Sequence, residues 1–278
     1  MKLSFVTPRQ PLDGIEFGAA SFGMVGCEDP TAANLRTFAK DLRGTVIHGS
    51  YRHCLENLPK KAPQAIIALL GNAGGENAFI GEVSRRMGCP ITGGAAAFED
   101  RMGLIAGGGE ASLFCIDDDR YEIAVSCRNI HTEVLEQCVL ELEDARTIRT
   151  VNGEDAVAWY NQKRAQLDLA PDDFEHLTIS DEDGINAHMS IANGKLISGR
   201  DLHTRMLLRY ANPNDVQKQM QAFYEDADSL VFGCAGLKKI LPAPLHTDGL
   251  GLFMFGEVCT VNGKADFGNL MLSKLTVR

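Results

Sequence analysis

Glu257 and Cys234 are the side chains in this sequence best placed to do chemistry. Glu257 follows Gly256 at the end of the apolar run Leu250 to Phe255. A carboxylate there must reach solvent, a partner or a ligand, because burying it alone is costly. Cys234 stands in VFGCAG, where a strand runs into a small-residue turn, a place that can display a nucleophile. No histidine is near it in sequence, so any base has to come from elsewhere in the fold. The alternative is a buried thiol acting as a small apolar group. Arg200, Asp201 and His203 form a charged patch after the Asn193-Gly194 turn. Arg200 there can clamp a carboxylate or phosphate, or simply lie in a solvated loop.

Glycine supplies the other candidates. Gly93-Gly94 and Gly107-Gly108-Gly109 can form backbone nests for an anion, or tight turns between strands. Neither segment matches the phosphate-loop or dinucleotide-binding fingerprint. The seven histidines (His48, His53, His131, His176, His188, His203 and His246) show no H-x-x-H or H-E-x-x-H pattern. A single axial haem ligand would leave no motif, so spacing leaves haem open. The eight cysteines contain no C-x-x-C pair, which removes the usual zinc and dithiol signatures.

The elements that must carry these residues alternate between strand and helix signals. Asp29-Pro30 reads as a helix start, continued by Leu35, Phe38, Ala39 and Leu42 and stopped by Gly44. Strands are expected at 45–48 and 65–70, and a helix at 76–87 ended by Gly88. Residues 111–116 and 121–127 read as a hairpin around the charged segment 117–120. Residues 131–144 read as a helix or amphipathic connector, with Leu135, Cys138, Val139 and Leu142 on one side. A strand over 145–151, the Asn152-Gly153 turn and a helix over 156–167 follow. Strands are expected at 177–180, 186–191, 195–198 and 204–210, then a helix at 215–224.

The chain also repeats itself. Gln64 to Gly75, Pro90 to Glu99 and Gly107 to Ile116 match Asp228 to Gly236, Leu250 to Val258 and Phe267 to Val277 in kind and order. Gly71 to Gly93 spans 22 positions and Gly233 to Gly256 spans 23. The expected fold is α+β (mixed α/β): two related half-domains, 1–144 and 145–278, with mixed and antiparallel sheets packed together and helices such as 76–87 and 156–167 outside. Gly93 and Gly256 should be equivalent. In the second copy, Pro242 and Pro244 should prevent a long helix. Clefts between half-domains favour ligands, which puts a small-molecule site near Gly93, Gly94, Glu257 and Asn269.

Composition narrows the partners. The 278 residues carry a net charge of −10, with no Lys/Arg-rich stripe, which disfavours nucleic acid and anionic membrane. At 45% hydrophobic the chain can fill a core, yet no apolar run approaches membrane-spanning length. The opening MKLSFVTPRQPLDG lacks an apolar export region, so a reduced cytoplasm is expected.

SLVFGCAG (229–236), LFMFGEV (252–258) and FGNLML (267–272) resemble the C-terminal FIST domain. TIRTVNGEDAVAWY (147–160) resembles that domain's opening, while PITGGAAAFE and GEASLFCI resemble the end of the N-terminal FIST domain. The resemblance spans roughly 63–277. It implies a non-catalytic sensory module binding a small ligand such as an amino acid or small anion, signalling through a separate protein. Some members look like haem-based gas sensors, so a haem sensor is one alternative and an enzyme using Cys234 or Glu257 another. The chain departs from its relatives in having Leu237 where they often carry arginine, and Gly268-Asn269 where they often place His-Asn.

Overall fold

The computed structural model describes residues 1–7, 12–26, 34–99 and 102–278. Its first strands are short: β1 (Ser4–Val6), β2 (Gly23–Met24) and β3 (Leu35–Thr37). The helix expected to run to Leu42 is not formed over its described part. β3 pairs antiparallel with β1, and the chain then stays irregular to Arg43. Phe38 N donates to Leu3 O and Leu42 N to Met1 O, so this backbone bonds the N-terminal segment rather than itself. Phe38 and Leu42 still reach the core. Asp29-Pro30 lies outside the described residues.

Next come β4 (Gly44–Gly49), α1 (Tyr51–Glu56), β5 (Ala65–Leu70), α2 (Glu76–Met87), β6 (Ile91–Ala95), β7 (Phe98–Glu99), β8 (Met102–Gly103) and β9 (Ala111–Ile116). Every residue of β5 is buried, as its unbroken apolar run requires. Gly88, in the left-handed region at φ 60°, ends α2. The expected hairpin after β9 is absent. β9 pairs with β4 and β5, whereas β10 (Ile123–Asn129) pairs with the last strand of the chain, Met271–Val277. The intervening Asp118 carboxylate accepts from Arg43 N and the Arg120 guanidinium, so the charged segment anchors a crossing between sheets.

A separate sheet follows: β11 (Glu133–Leu142), β12 (Thr147–Val151), β13 (Glu154–Asp155), then α3 (Ala156–Gln166), β14 (Leu177–Ser180), β15 (Asn186–Ala187), β16 (Met189–Ala192), β17 (Lys195–Ser198) and β18 (Arg205–Tyr210). β11 corrects the helix or connector expected at 131–144. It lies between β18 and β12, burying Cys138 and Leu140 while exposing Val139 and Glu141. That period of two decides the matter. Asn152-Gly153 and Asn193-Gly194 turn with both residues at positive φ. α3 packs Trp159 and Tyr160 onto this sheet, not outside the paired sheets as expected.

The chain closes with α4 (Pro213–Tyr224), β19 (Ser229–Cys234), a 3-10 turn at Ala235–Ile240, β20 (Leu250–Met254), β21 (Glu257–Val261), β22 (Lys264–Gly268) and β23 (Met271–Val277). The short turn, followed by Pro242 and Pro244, occupies the slot that α2 fills in the first copy. Strand order β4-β9-β5-β6 reappears as β10-β23-β19-β20, antiparallel, antiparallel and then parallel in both. Gly93 and Gly256 are not equivalent, however. Gly93 pairs with Ala68 two residues before the end of β5, the place Leu252 takes beside Phe232, and Gly256 lies beyond β20. The expected halves also interlace across 144/145. β10 belongs with the second copy's sheet, and β21 pairs with β6 of the first.

The two repeated sheets pack face to face. Ile67 and Leu69 share one core with Leu230, Phe232, Leu252 and Met254, and Phe5 meets Phe232 edge-on at 6.0 Å. Ile66, Ala68 and Leu70 face the other way, onto Phe79, Ile80 and Val83 of α2. Val231 and Leu272 pack against Val216, Met220 and Phe223 of α4. The result is an α+β fold of helix, sheet, sheet and helix, with the third sheet alongside. No helix among the described residues is long and apolar enough to cross a membrane.

Candidate ligand site

The parallel strands β19 and β20 bring Cys234, Gly256, Glu257 and Asn269 together. Glu257 is fully buried. Its Oε2 accepts from Met271 N at 3.2 Å, and its Oε1 has no hydrogen-bond partner. No described cation pairs with it. Burial therefore holds its carboxyl pKa well above the usual range, against the opposing pull of the Met271 N–H and the Cys234 thiol. Burial also pushes up the Cys234 thiol, with the neighbouring carboxylate adding to the effect. Cys234 Sγ lies 3.8 Å from Phe255 O. Burial thus favours the protonated form of both groups, which is a poor starting point for nucleophilic or general-base work.

The glycines here make room for Asn269. A Cβ on Gly199 would lie 2.5 Å from Asn269 Oδ1, and one on Gly256 would lie 2.9 Å from Nδ2. Asn269 N donates to Asn186 O, which ties this corner to the third sheet. The next residue, Leu270, is held at φ 54°, an uncommon setting for a side chain of its size. Tyr224 Oη is buried against Gly233 without a partner.

Gly93 and Gly94, expected near a ligand site, lie inside a sheet rather than at an open turn. Both are buried inside β6, where β21 pairs with them through Val258 and Glu257. A Cβ on Gly93, at φ 137°, would fall 2.0 Å from Ala68 O; one on Gly94 would fall 2.5 Å from Gly256 O. These glycines allow close strand packing and leave no cleft between the repeats at this point.

Arg200 occupies a different place. It follows β17 and is only 1% exposed. Its Nη2 lies 2.7 Å from Asp266 Oδ2 on β22, and its Nη1 lies 3.3 Å from Asp181 Oδ2 and 3.2 Å from Ile185 O. The other Asp266 oxygen accepts from Asn77 Nδ2 of α2 at 2.8 Å. Third sheet, hairpin and α2 are thus joined by one polar chain. The same three elements wall a cleft of about 830 Å³. Glu182, Asp183, Arg205 and Lys264 line it and are exposed, and none of them forms an ion pair among the described residues. His203 lines it too. The cleft therefore offers charge of both signs outside any ion pair among the described residues, with Asp183 Oδ1 accepting from Asn262 Nδ2, above an arginine held by two carboxylates.

A second polar cluster borders Cys234. Glu175 is buried and accepts from Lys239 Nζ at 2.6 Å, with His188 Nε2 at 3.7 Å. Burial opposes its ionisation, but the bonds to His188 and Lys239 win and lower its pKa to about 2. His131 Nε2 lies 2.7 Å from Glu175 O, and its Nδ1 lies 3.1 Å from Asn186 Nδ2. Burial pushes its pKa down to about 4, so the ring is neutral, with Nε2–H donating and Nδ1 accepting. Both ring nitrogens are committed, and neither is free to bind haem iron. Among the described residues, no three His, Cys, Asp or Glu side chains are arranged to hold a metal ion.

The structure thus groups Cys234, Gly256, Glu257 and Asn269 in one buried corner. It puts Arg200 beneath the cleft and Gly93 and Gly94 in the sheet. Sequence reasoning missed Asp181, Asp266 and Glu175. The acidic turn SDEDG (180–184) was the visible signal for the first; Asp266 and Glu175 matter only through partners far away in sequence. No protein-family model matches the chain, and no curated protein matches it.

Proposed function

We propose that this protein binds a small zwitterion or anion, an amino acid being the simplest case, in the cleft above Arg200, and that it is a FIST-like sensory protein. The carrying observation is the Arg200–Asp266–Asn77 chain, which links the third sheet, the β21–β22 hairpin and α2 beneath one cleft. A ligand carboxylate suits Arg205, Lys264 and His203, and a ligand ammonium suits Glu182 and Asp183. A ligand touching all three walls would favour one relative placement of them, and that preference is what a separate signalling protein would read. The protonated, enclosed states of Cys234 and Glu257 support binding over catalysis by those residues. The free thiols fit a cytoplasmic setting.

A thermal-shift screen of amino acids and small anions tests this reading. A ligand at 100 times its dissociation constant should add about 2.7 kcal/mol of stability. Arg205→Ala and Glu182→Ala should each reduce the gain while leaving the unliganded melting point nearly unchanged. A broad panel with no shift would remove the proposal.

A further inference from the structure

We propose that Cys127 and Cys259 form an oxidisable thiol pair that joins the two stacked sheets. Ser273 on β23 is the direct antiparallel partner of Cys127 on β10. The Ser273 hydroxyl lies 2.6 Å from the Thr92 hydroxyl on β6, so Ser273 points toward the opposite sheet. Directly paired residues share a face, and Cys127 therefore points the same way. On that opposite sheet, Cys259 of β21 directs its sulfur onto the same strand, 3.9 Å from Leu272 O. Cys127 packs against the cluster that Cys259 forms with Ile185 and Met271, so the two thiols share one pocket between the sheets. They come from strands of different sheets, 132 positions apart (259 minus 127).

Cys127 is half-buried and Cys259 is fully buried, which sets the order of events. With hydrogen peroxide as oxidant, the Cys127 sulfur attacks one peroxide oxygen. The S–O bond forms, the O–O bond breaks and the departing oxygen leaves as water, giving a sulfenic acid. The Cys259 sulfur then attacks the Cys127 sulfur. The S–S bond forms, the S–O bond breaks, and the oxygen leaves as a second water carrying the Cys259 proton. Two thiols lose two electrons in total and one peroxide is reduced. Burial keeps Cys259 protonated, so the second step should be the slower one. The product would lock β10 of one sheet to β21 of the other.

Treating the folded full chain with hydrogen peroxide, then digesting it without reductant, tests this directly by mass spectrometry. The expected product is a peptide pair crosslinked through Cys127 and Cys259, lighter by two hydrogens and released by dithiothreitol. The melting point of the oxidised protein should rise, and Cys127→Ser or Cys259→Ser should abolish both changes. Wild-type protein in which Cys127 stays reduced, proceeds to sulfinic acid without a crosslink, or pairs with another cysteine such as Cys234 would overturn the proposal without reference to any variant.

Discussion

Arg200 of the third sheet and Asp266 of the β21–β22 hairpin meet at 2.7 Å across the seam that carries the cleft. Arg200 is 1% exposed and also faces Asp181, so one guanidinium is shared between two carboxylates. Replacing it with methionine removes the charge but leaves both acids. Breaking a buried pair from one side should cost about 3 kcal/mol. Urea unfolding of Arg200→Met measures this, and adding Asp266→Asn should recover part of the loss because one stranded charge disappears.

Glu257 and His131 give opposite pH dependences. Glu257 has a raised folded pKa, so the native state holds its proton more tightly. Its contribution is complete below the unfolded value of about 4.5 and declines as pH rises from there toward the folded value. Glu257→Gln should flatten that decline, and denaturation midpoints from pH 5 to 9 would reveal it. A variant as pH-sensitive as wild type over that range would count against a buried protonated carboxyl.

His131 is kept neutral, with its pKa moved from 6.5 down to about 4. Its contribution is present above about 6.5 and is lost as pH falls through that value toward 4, roughly 3 kcal/mol in all. An NMR titration should show the His131 ring still neutral at pH 5.5. Early protonation of His131 would show that its two hydrogen bonds do not hold.

Two glycines separate packing from chain freedom. Gly93→Ala places a methyl group 2.0 Å from Ala68 O at φ 137°, and should cost about 3 kcal/mol or more. Gly81 lies within α2 with open space around its Cβ position, so Gly81→Ala should add about 1 kcal/mol. Chemical denaturation of the two variants should move in opposite directions.

Local signals carried much of this fold. β5, α2 and β9 begin and end where the apolar runs and Gly88 put them. The repeat was readable because both copies need the same punctuation between strands. Segment 131–144 misled because Leu135, Cys138, Val139 and Leu142 fit a helical spacing that pairing with β12 and β18 overrides. The pairing of β10 with β23 and of β21 with β6 could not be read, since register between distant strands leaves no local mark. Within the site, Glu257 stood out because a charge beside an apolar strand needs an explanation, and Arg200 because it stands in a charged patch after a turn. Gly93 and Gly94 misled because a Gly-Gly pair reads alike whether it receives an anion or a neighbouring strand. Asp266 carries no local signal, because its role comes from Arg200, 66 positions away in sequence.

The most direct test of the cleft is a set of ¹H–¹⁵N spectra of the full chain, titrated with the amino acid or anion giving the largest thermal shift. Amide shifts should concentrate at 181–183, 200–205 and 264–266, saturate with one dissociation constant, and largely vanish in Arg205→Ala. Saturable shifts confined to another surface, or no saturable shifts anywhere, would contradict ligand binding above Arg200.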